Sequence, residues 1–255
     1  VKADLGDRDA AYIRGIIALH RRLGLIARME LLGASSKPAW GLGTLTLSVA
    51  KILENMEIGH NVLHGQWDWM NDPEIHSSTW DWDTASPAAA WKHSHNYVHH
   101  TFTQIVGKDK DVGYEIMRVD PKQDWEPVYL FQPLYNILLM AFFEWGVGLQ
   151  HLELGKISKG RDDRTATLER VQEFGVKAGR RVIKDDVAFP GLPALSPGAT
   201  YRSADTANAM ANVIRNVWAN AVIFCGHFPD GAEKFTKTDM VGESKGQWYL
   251  RQMLG

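Results

Sequence analysis

The chain has 255 residues, with 28 Lys and Arg against 30 Asp and Glu, and a mean hydropathy of −0.25. A net charge of −2 gives no basic field for nucleic acid, so no nucleic-acid partner is expected. One cysteine, Cys225, excludes an internal disulfide framework and any Cys-rich zinc or iron–sulfur site.

In chain order, residues 7–34 predict an amphipathic surface helix, with Ile13, Ile16, Ile17 and Leu23 broken by Arg14, Arg21, Arg22 and Arg28. Pro38 opens a second segment. Ala39 to Ala50 is small or apolar and runs on through Lys51, Glu54 and Glu57 into His60, the pattern of a membrane helix ending in a polar site. Val128 to Leu152 is the strongest span candidate, since about 20 helical residues cross a hydrocarbon core. Thr206 to Phe228 is a second, interrupted by Arg215. Between them Leu154 to Asp186 is charged, the signature of solvated helix faces, with a docking surface for an acidic electron carrier as the other reading. Pro190, Pro193 and Pro197 mark an irregular connection into the next helix. Strand-like alternation is scarce, so the expected fold is all-α. It is a single domain over residues 1–255, a helical integral-membrane bundle with a cytosolic helical cap carrying the histidines. The high tryptophan count, ten, suits a membrane–water interface.

Seven of the ten histidines fall between residues 60 and 100. One cluster is His60-Asn-Val-Leu-His64 and another is His93-Ser-His95-Asn-Tyr-Val-His99-His100. Residues four apart share a helical face, so His60 projects with His64 and His95 with His99, while His100 points about 100° from His99. Imidazole without thiolate disfavours structural zinc and suits iron working with oxygen. Five or six such ligands exceed the three of a catalytic zinc site and imply two metals. A ferritin-like site needs two Glu-x-x-His motifs, and only Glu57-Ile-Gly-His60 is present. Glu57 is instead expected as an outer partner fixing a histidine tautomer. His20, His76 and His151 are expected to be structural or surface residues.

The H-x3-H box at His60–His64 and the H-x3-H-H box at His95–His100 resemble those of the integral-membrane fatty acid desaturases. The flanking text, from Lys51 to Trp69, from Trp91 to Thr103 and from Val222 to Asp230, is similar to the actinobacterial acyl desaturases. The resemblance implies a membrane-bound, O2-dependent fatty acyl desaturase that removes two hydrogens from an acyl chain at a diiron centre. It implies no catalytic residues beyond the metal ligands His60, His64, His95, His99, His100 and His227. His227, taken alone, reads as a helix-end histidine and joins the set only through the resemblance. His93 is placed as an outer partner, and Trp67, Trp69, Trp91 and Tyr97 as candidates for lining a substrate tunnel. The implied cofactors are two iron ions, with O2 as co-substrate. The implied partners are a fatty acyl chain, a separate reductase with a ferredoxin-like carrier, and the lipid bilayer. The implied location is the inner cell membrane, multi-pass, with the site on the cytoplasmic side. A related membrane hydroxylase and a noncatalytic metal-binding relative are the alternatives. The family's third box, Q/H-x2–3-H-H, does not follow His227, so the domain is expected to be incomplete at its C-terminus.

Overall fold

A computed structural model describes residues 4–153 and 164–255. Helix α1 (Asp7–Glu30) carries Asp7 and Asp9 in its first turn and Arg28 in its last, complementing the helix dipole at both ends. It buries Ile13, Ile17 and Ala27 and leaves most of its other side chains exposed or half-exposed, as an amphipathic helix should. Helix α2 (Lys37–Ile52) starts at Ser36, whose hydroxyl accepts from Ala39 N, with Pro38 in the first turn. It continues unbroken through a π-helical segment, Leu53–Gly59, into a final turn, His60–Leu63. Helix α3 is built the same way: Ala88–Trp91, a π-helical Lys92–His99, then His100–Phe102.

Two short helices follow, α4 (Gln132–Ala141) and α5 (Phe143–Gln150), and then α6 (Arg164–Val182), extended by a π-helical Ile183–Ala188. Helix α7 (Tyr201–His227) opens on a Thr200–Ser203 cap and ends on a histidine, and α8 (Lys245–Leu254) opens on Ser244. Helix α2 packs between α1 and α7. Their contact is close because its residues are small: Ala27, Ala34, Ala199, Ala207 and Ala211 surround Leu31 and Leu47. A Cβ on Gly43 would stand 2.7 Å from Leu31 Cδ2, so the α1–α2 approach depends on that glycine.

The all-α expectation matches the fold: among the described residues the only bridge pairing is an isolated one, Ile105 with Phe235. The membrane expectation does not. Among the described residues no helix is long and apolar enough to cross a membrane. Val128–Leu152 is broken at Phe142 (φ −115°, ψ 31°) into helices of 10 and 8 residues. At about 1.5 Å per residue neither approaches a 30 Å core. Helix α7 has the length, with 27 residues, but its inward face carries Asn208, Arg215, Asn216 and Asn220. The apolar run of α2 stops after 16 residues at a charged π-helical segment. The integral-membrane bundle, the membrane-bound reaction, the bilayer as partner and the multi-pass inner-membrane location, drawn from those spans and from the resemblance, are withdrawn on this finding. Of the charged stretch 154–186, residues 154–163 lie outside the described residues.

A chain of buried ion pairs ties α2, α5, α6 and α7 together. Lys51 Nζ lies 2.6 Å from Asp185 Oδ2, Arg181 pairs with Asp185, Arg181 Nε reaches Glu144 Oε2 at 3.2 Å, and Arg215 Nη2 reaches Glu144 Oε1 at 2.7 Å. Asn216 repairs the break at Phe142: its amide donates to Ala141 O at 2.9 Å and its carbonyl accepts from Glu144 N at 3.4 Å. Backbone groups freed by the break are thereby satisfied.

Candidate metal centre

The ends of three helices, α2, α3 and α7, converge. His60 and His64 stand on the last turn of α2, with rings 4.5 Å apart and Nε2 atoms 3.0 Å apart. Because α3 is π-helical from Lys92 to His99, its hydrogen bonds close five residues on and each turn is wider than in an α-helix. His95 therefore stacks on His99 (4.9 Å, 17°) and also meets His100 edge-on at 5.0 Å. His100 in turn lies 5.0 Å from His64, so it faces the cluster, unlike in the α-helical projection. His227, on the last turn of α7, comes within 4.8 Å of His99 and 6.4 Å of His95. All six histidines are thus in one ring-contact cluster. Among the described residues, His60, His64 and His95 form one group of donors close enough to hold a metal ion, and His95, His99 and Asp111 form another.

Hydrogen bonds turn these rings inward. His99 Nδ1 donates to Asp109, 3.0 Å from either oxygen, and His95 Nδ1 donates to Asp111 Oδ2 at 2.9 Å. With Nδ1 carrying the proton, Nε2 presents its lone pair. His227 follows the same rule through Ile223 O, 2.9 Å from its Nδ1. Its Nε2 is buried without a hydrogen-bond partner, an orphan that a metal ion would satisfy. Asp109 is itself fixed by Gln104 N at 2.8 Å and Asp111 N at 2.9 Å.

The electrostatics agree. Burial, then the neighbouring imidazoles, push His60 down to about 3 and His64 and His100 to about 4, so all three are neutral and able to ligate at neutral pH. Burial likewise lowers His227. At His99 burial is outweighed by the Asp109 hydrogen bond and the two aspartates, which raise it. Asp111, against the cost of burial, is held at about 2 by the His95 hydrogen bond and the surrounding rings. Neutral imidazoles, one ionised carboxylate and an orphaned lone pair make a donor set that fits a metal.

The other sequence candidates fall variously. Glu57 accepts from the Tyr12 hydroxyl on α1, and none of its hydrogen bonds reaches a histidine. His93 is exposed and stacks on Tyr97 (5.7 Å) outside the cluster. Trp91 is buried, stacks on His95 at 4.5 Å, and meets His60 and His64 at 5.3 Å. Trp67 is buried elsewhere, with Ile13, Ile58 and Ile75, while Trp69 and Tyr97 are exposed. His20 bonds Ala50 O and His76 lies beside Asp68, both away from the cluster. His151 is buried between the hydroxyls of Ser86 and Ser94, 2.6 Å from each. Sequence reasoning missed Asp109 and Asp111; their Asp-x-Asp spacing ten residues past His99 was the available signal.

Two cavities of 60 and 50 Å³ flank His60, both bounded by Trp91, Phe143, Val147 and Ile223. They are apolar and small, well below the roughly 300 Å³ at which ligand sites begin.

A model of the fatty acid desaturase family matches residues 35–255. The chain is 64% identical over all 255 residues to an NADPH-dependent stearoyl-CoA 9-desaturase of Mycobacterium tuberculosis, and spans 60% of that relative's length. It is 31% identical over 121 residues, 45% of the chain and 33% of the relative, to an sn-1 linoleoyl-lipid 6-desaturase of Synechocystis. No solved structure matches it. Since the family match runs through both histidine boxes and His227, the chain belongs to the fatty acid desaturase family.

Proposed function

We propose that the protein carrying this chain is an O2-dependent fatty acyl desaturase whose two iron ions are held by His60, His64, His95, His99, His100 and His227. The observation that carries this reading is the convergence of six imidazoles from three helices into one ring-contact cluster. When bound, the iron would supply the oxidising power to remove two hydrogens from an unactivated methylene pair, with O2 and two electrons and two protons ending as water.

The chain's own residues have more local work. Asp109 and Asp111 keep the protons of His99 and His95 on Nδ1, so both rings offer Nε2. Asp111 also lies 3.8 Å from His227 Nε2, placing its negative charge where a dication would gather. Trp91 closes one side of the cluster, and Phe143, Val147 and Ile223 wall it against water. His93 and Glu57 act outside this group, and Trp91 is the tunnel candidate that the packing favours. The relatives' names support a fatty acyl substrate, and the one with the higher identity favours a CoA thioester. The electrons are read as coming ultimately from NADPH through a reductase and a ferredoxin-like carrier, which the printed name of the higher-identity relative, NADPH-dependent, supports.

The test is iron per polypeptide in the wild type and in His64→Ala and His99→Ala, followed by analysis of acyl products. Near two irons, lost on substitution, and a new double bond are expected. Iron-free wild-type protein, or a hydroxylated product, would sink the reading.

A further inference from the structure

Helix α1 carries arginines at a seven-residue interval, Arg14, Arg21 and Arg28. Seven residues are close to two helical turns, so the three lie along one face, spread over about 21 Å. Among the described residues, only Arg14 of the three has a carboxylate within ion-pair distance, Asp72 at 2.9 Å. Arg21 makes no ion pair among the described residues. The Arg28 guanidinium carbon lies over the Phe189 ring, 3.7 Å from its centre, and among the described residues its one hydrogen bond goes to the Asn208 amide oxygen, at 3.4 Å. Burial lowers its pKa to about 10, as expected of a desolvated cation without a full counterion.

Between these arginines, α2 and α6 there is a cavity of 330 Å³. It is the size of a small-molecule site, unlike the pair beside His60. Arg21, Arg28, Lys51 and Lys184 line it, against Glu54 and Asp83. Lys51 is paired with Asp185 and Lys184 with Asp83, which leaves Arg21 and Arg28 as the lining cations without a carboxylate partner among the described residues, inside a concave wall. Its floor is open at Gly24, where a Cβ would meet nothing within 4 Å. Its wall also belongs to the histidine site: Lys51 and Glu54 face this cavity, while Asn55, Met56 and His60 of the same helix face the small apolar one. From Lys51 to His60 is about 13 Å along the axis.

We propose that the α1–α2–α6 cavity is a phosphate-binding site that takes the anionic head of the acyl carrier, Arg28 and Arg21 being the groups that hold it. The ligand's identity rests on the acyl-chain reading; the phosphate site itself rests on the cavity and its cations. Arg28 offers its planar N–H fork and Arg21, at the rim, captures the ligand and sets the salt dependence.

The experiment is calorimetric titration of the protein with coenzyme A, with pyrophosphate and glycerol 3-phosphate as competitors, in iron-loaded and iron-stripped preparations. Coenzyme A should bind both alike and be displaced by pyrophosphate. Arg28→Gln should weaken binding at least tenfold, Arg28→Lys less, and Arg21→Ala should flatten the salt dependence. Gly24→Leu, which fills the open floor without removing a charge, should block binding while leaving circular dichroism unchanged. Preference for glycerol 3-phosphate would keep the site and name a lipid headgroup as its source. No binding by the folded wild type, or binding indifferent to Arg28→Gln and Gly24→Leu, would overturn the proposal even if two irons are held. Iron-free protein that still binds coenzyme A would instead overturn the diiron reading alone.

Discussion

His95 belongs to both donor groups, beside His60 and His64 on one side and His99 and Asp111 on the other. With its Nδ1 proton held by Asp111 it has one Nε2 lone pair and can serve only one ion at a time, so His95→Ala should lose iron as His64→Ala and His99→Ala do, checked by iron per polypeptide. Asp109 acts one bond further out. Asp109→Asn keeps the shape but puts an amide opposite His99 Nδ1, so the tautomer is no longer imposed. Metal affinity should fall roughly ten- to a hundredfold, read by titration with Co2+ and its visible bands, with the fold unchanged. At this scale the sequence was informative where chemistry repeats: the histidine boxes announced themselves by spacing. It was mute on Asp109, because an acid in the run Lys108-Asp-Lys-Asp111 looks like any solvated loop until the fold closes it onto His99. Glu57 was misplaced for a related reason. Its spacing to His60 was right for a helix partner, but α1 delivers Tyr12 to it.

At the scale of elements, α8 fastens the end of the second box. Arg251, buried, donates to Thr101 O and Thr103 O at 3.2 and 3.0 Å while pairing with Glu243 at 2.8 Å. Trp248 Nε1 reaches Thr101 O at 3.0 Å and Gln252 Nε2 reaches His100 O at 3.1 Å. These are carbonyls at the C-terminal end of α3, where a helix has no partners of its own. Arg251→Ala should cost about 3 kcal/mol by stranding Glu243 and those carbonyls, seen as a lower thermal midpoint and earlier iron loss. The apolar spans show the opposite lesson. Val128 to Leu152 has the composition of a span, but composition does not register a break at Phe142 or the Asn216 amide, far along the chain, that makes the break tolerable. Hydropathy counts residues, whereas crossing a membrane requires an uninterrupted rise.

Over the whole molecule, the interior is ionic where the histidines are not. Glu54, buried and accepting from Asp83 N at 2.8 Å, is pushed up to about 7, first by burial and then by the Asp83 charge. Its ordinary value is 4.5, so the folded protein holds an extra proton between those two pH values. The associated stability is complete below 4.5 and disappears as pH rises through 7. It amounts to about 3 kcal/mol at most. Because His60, His64 and His100 push stability the opposite way as pH rises toward 6.5, the Glu54 effect is read as a difference: the urea midpoint of the wild type relative to Glu54→Gln should fall between pH 5 and 7.5. Nothing in the sequence marked Glu54 as interior, since charges on α2 read equally well as a solvated face; the all-α architecture, by contrast, followed directly from periodicity. The π-helical segments in α2, α3 and α6 carry one consequence for how such a protein varies. A π segment holds one residue more than the α-helix it interrupts. Losing one residue between Leu53 and Gly59 would thus restore an ordinary helix with His60 and His64 still in phase, whereas losing one from the α-helical part of α2 would swing them about 100° and draw them back about 1.5 Å. Single-codon deletions, usually harmful noise in a helix, are here absorbed where the π segments lie, so a lineage could lose a residue there and keep its ligands aimed.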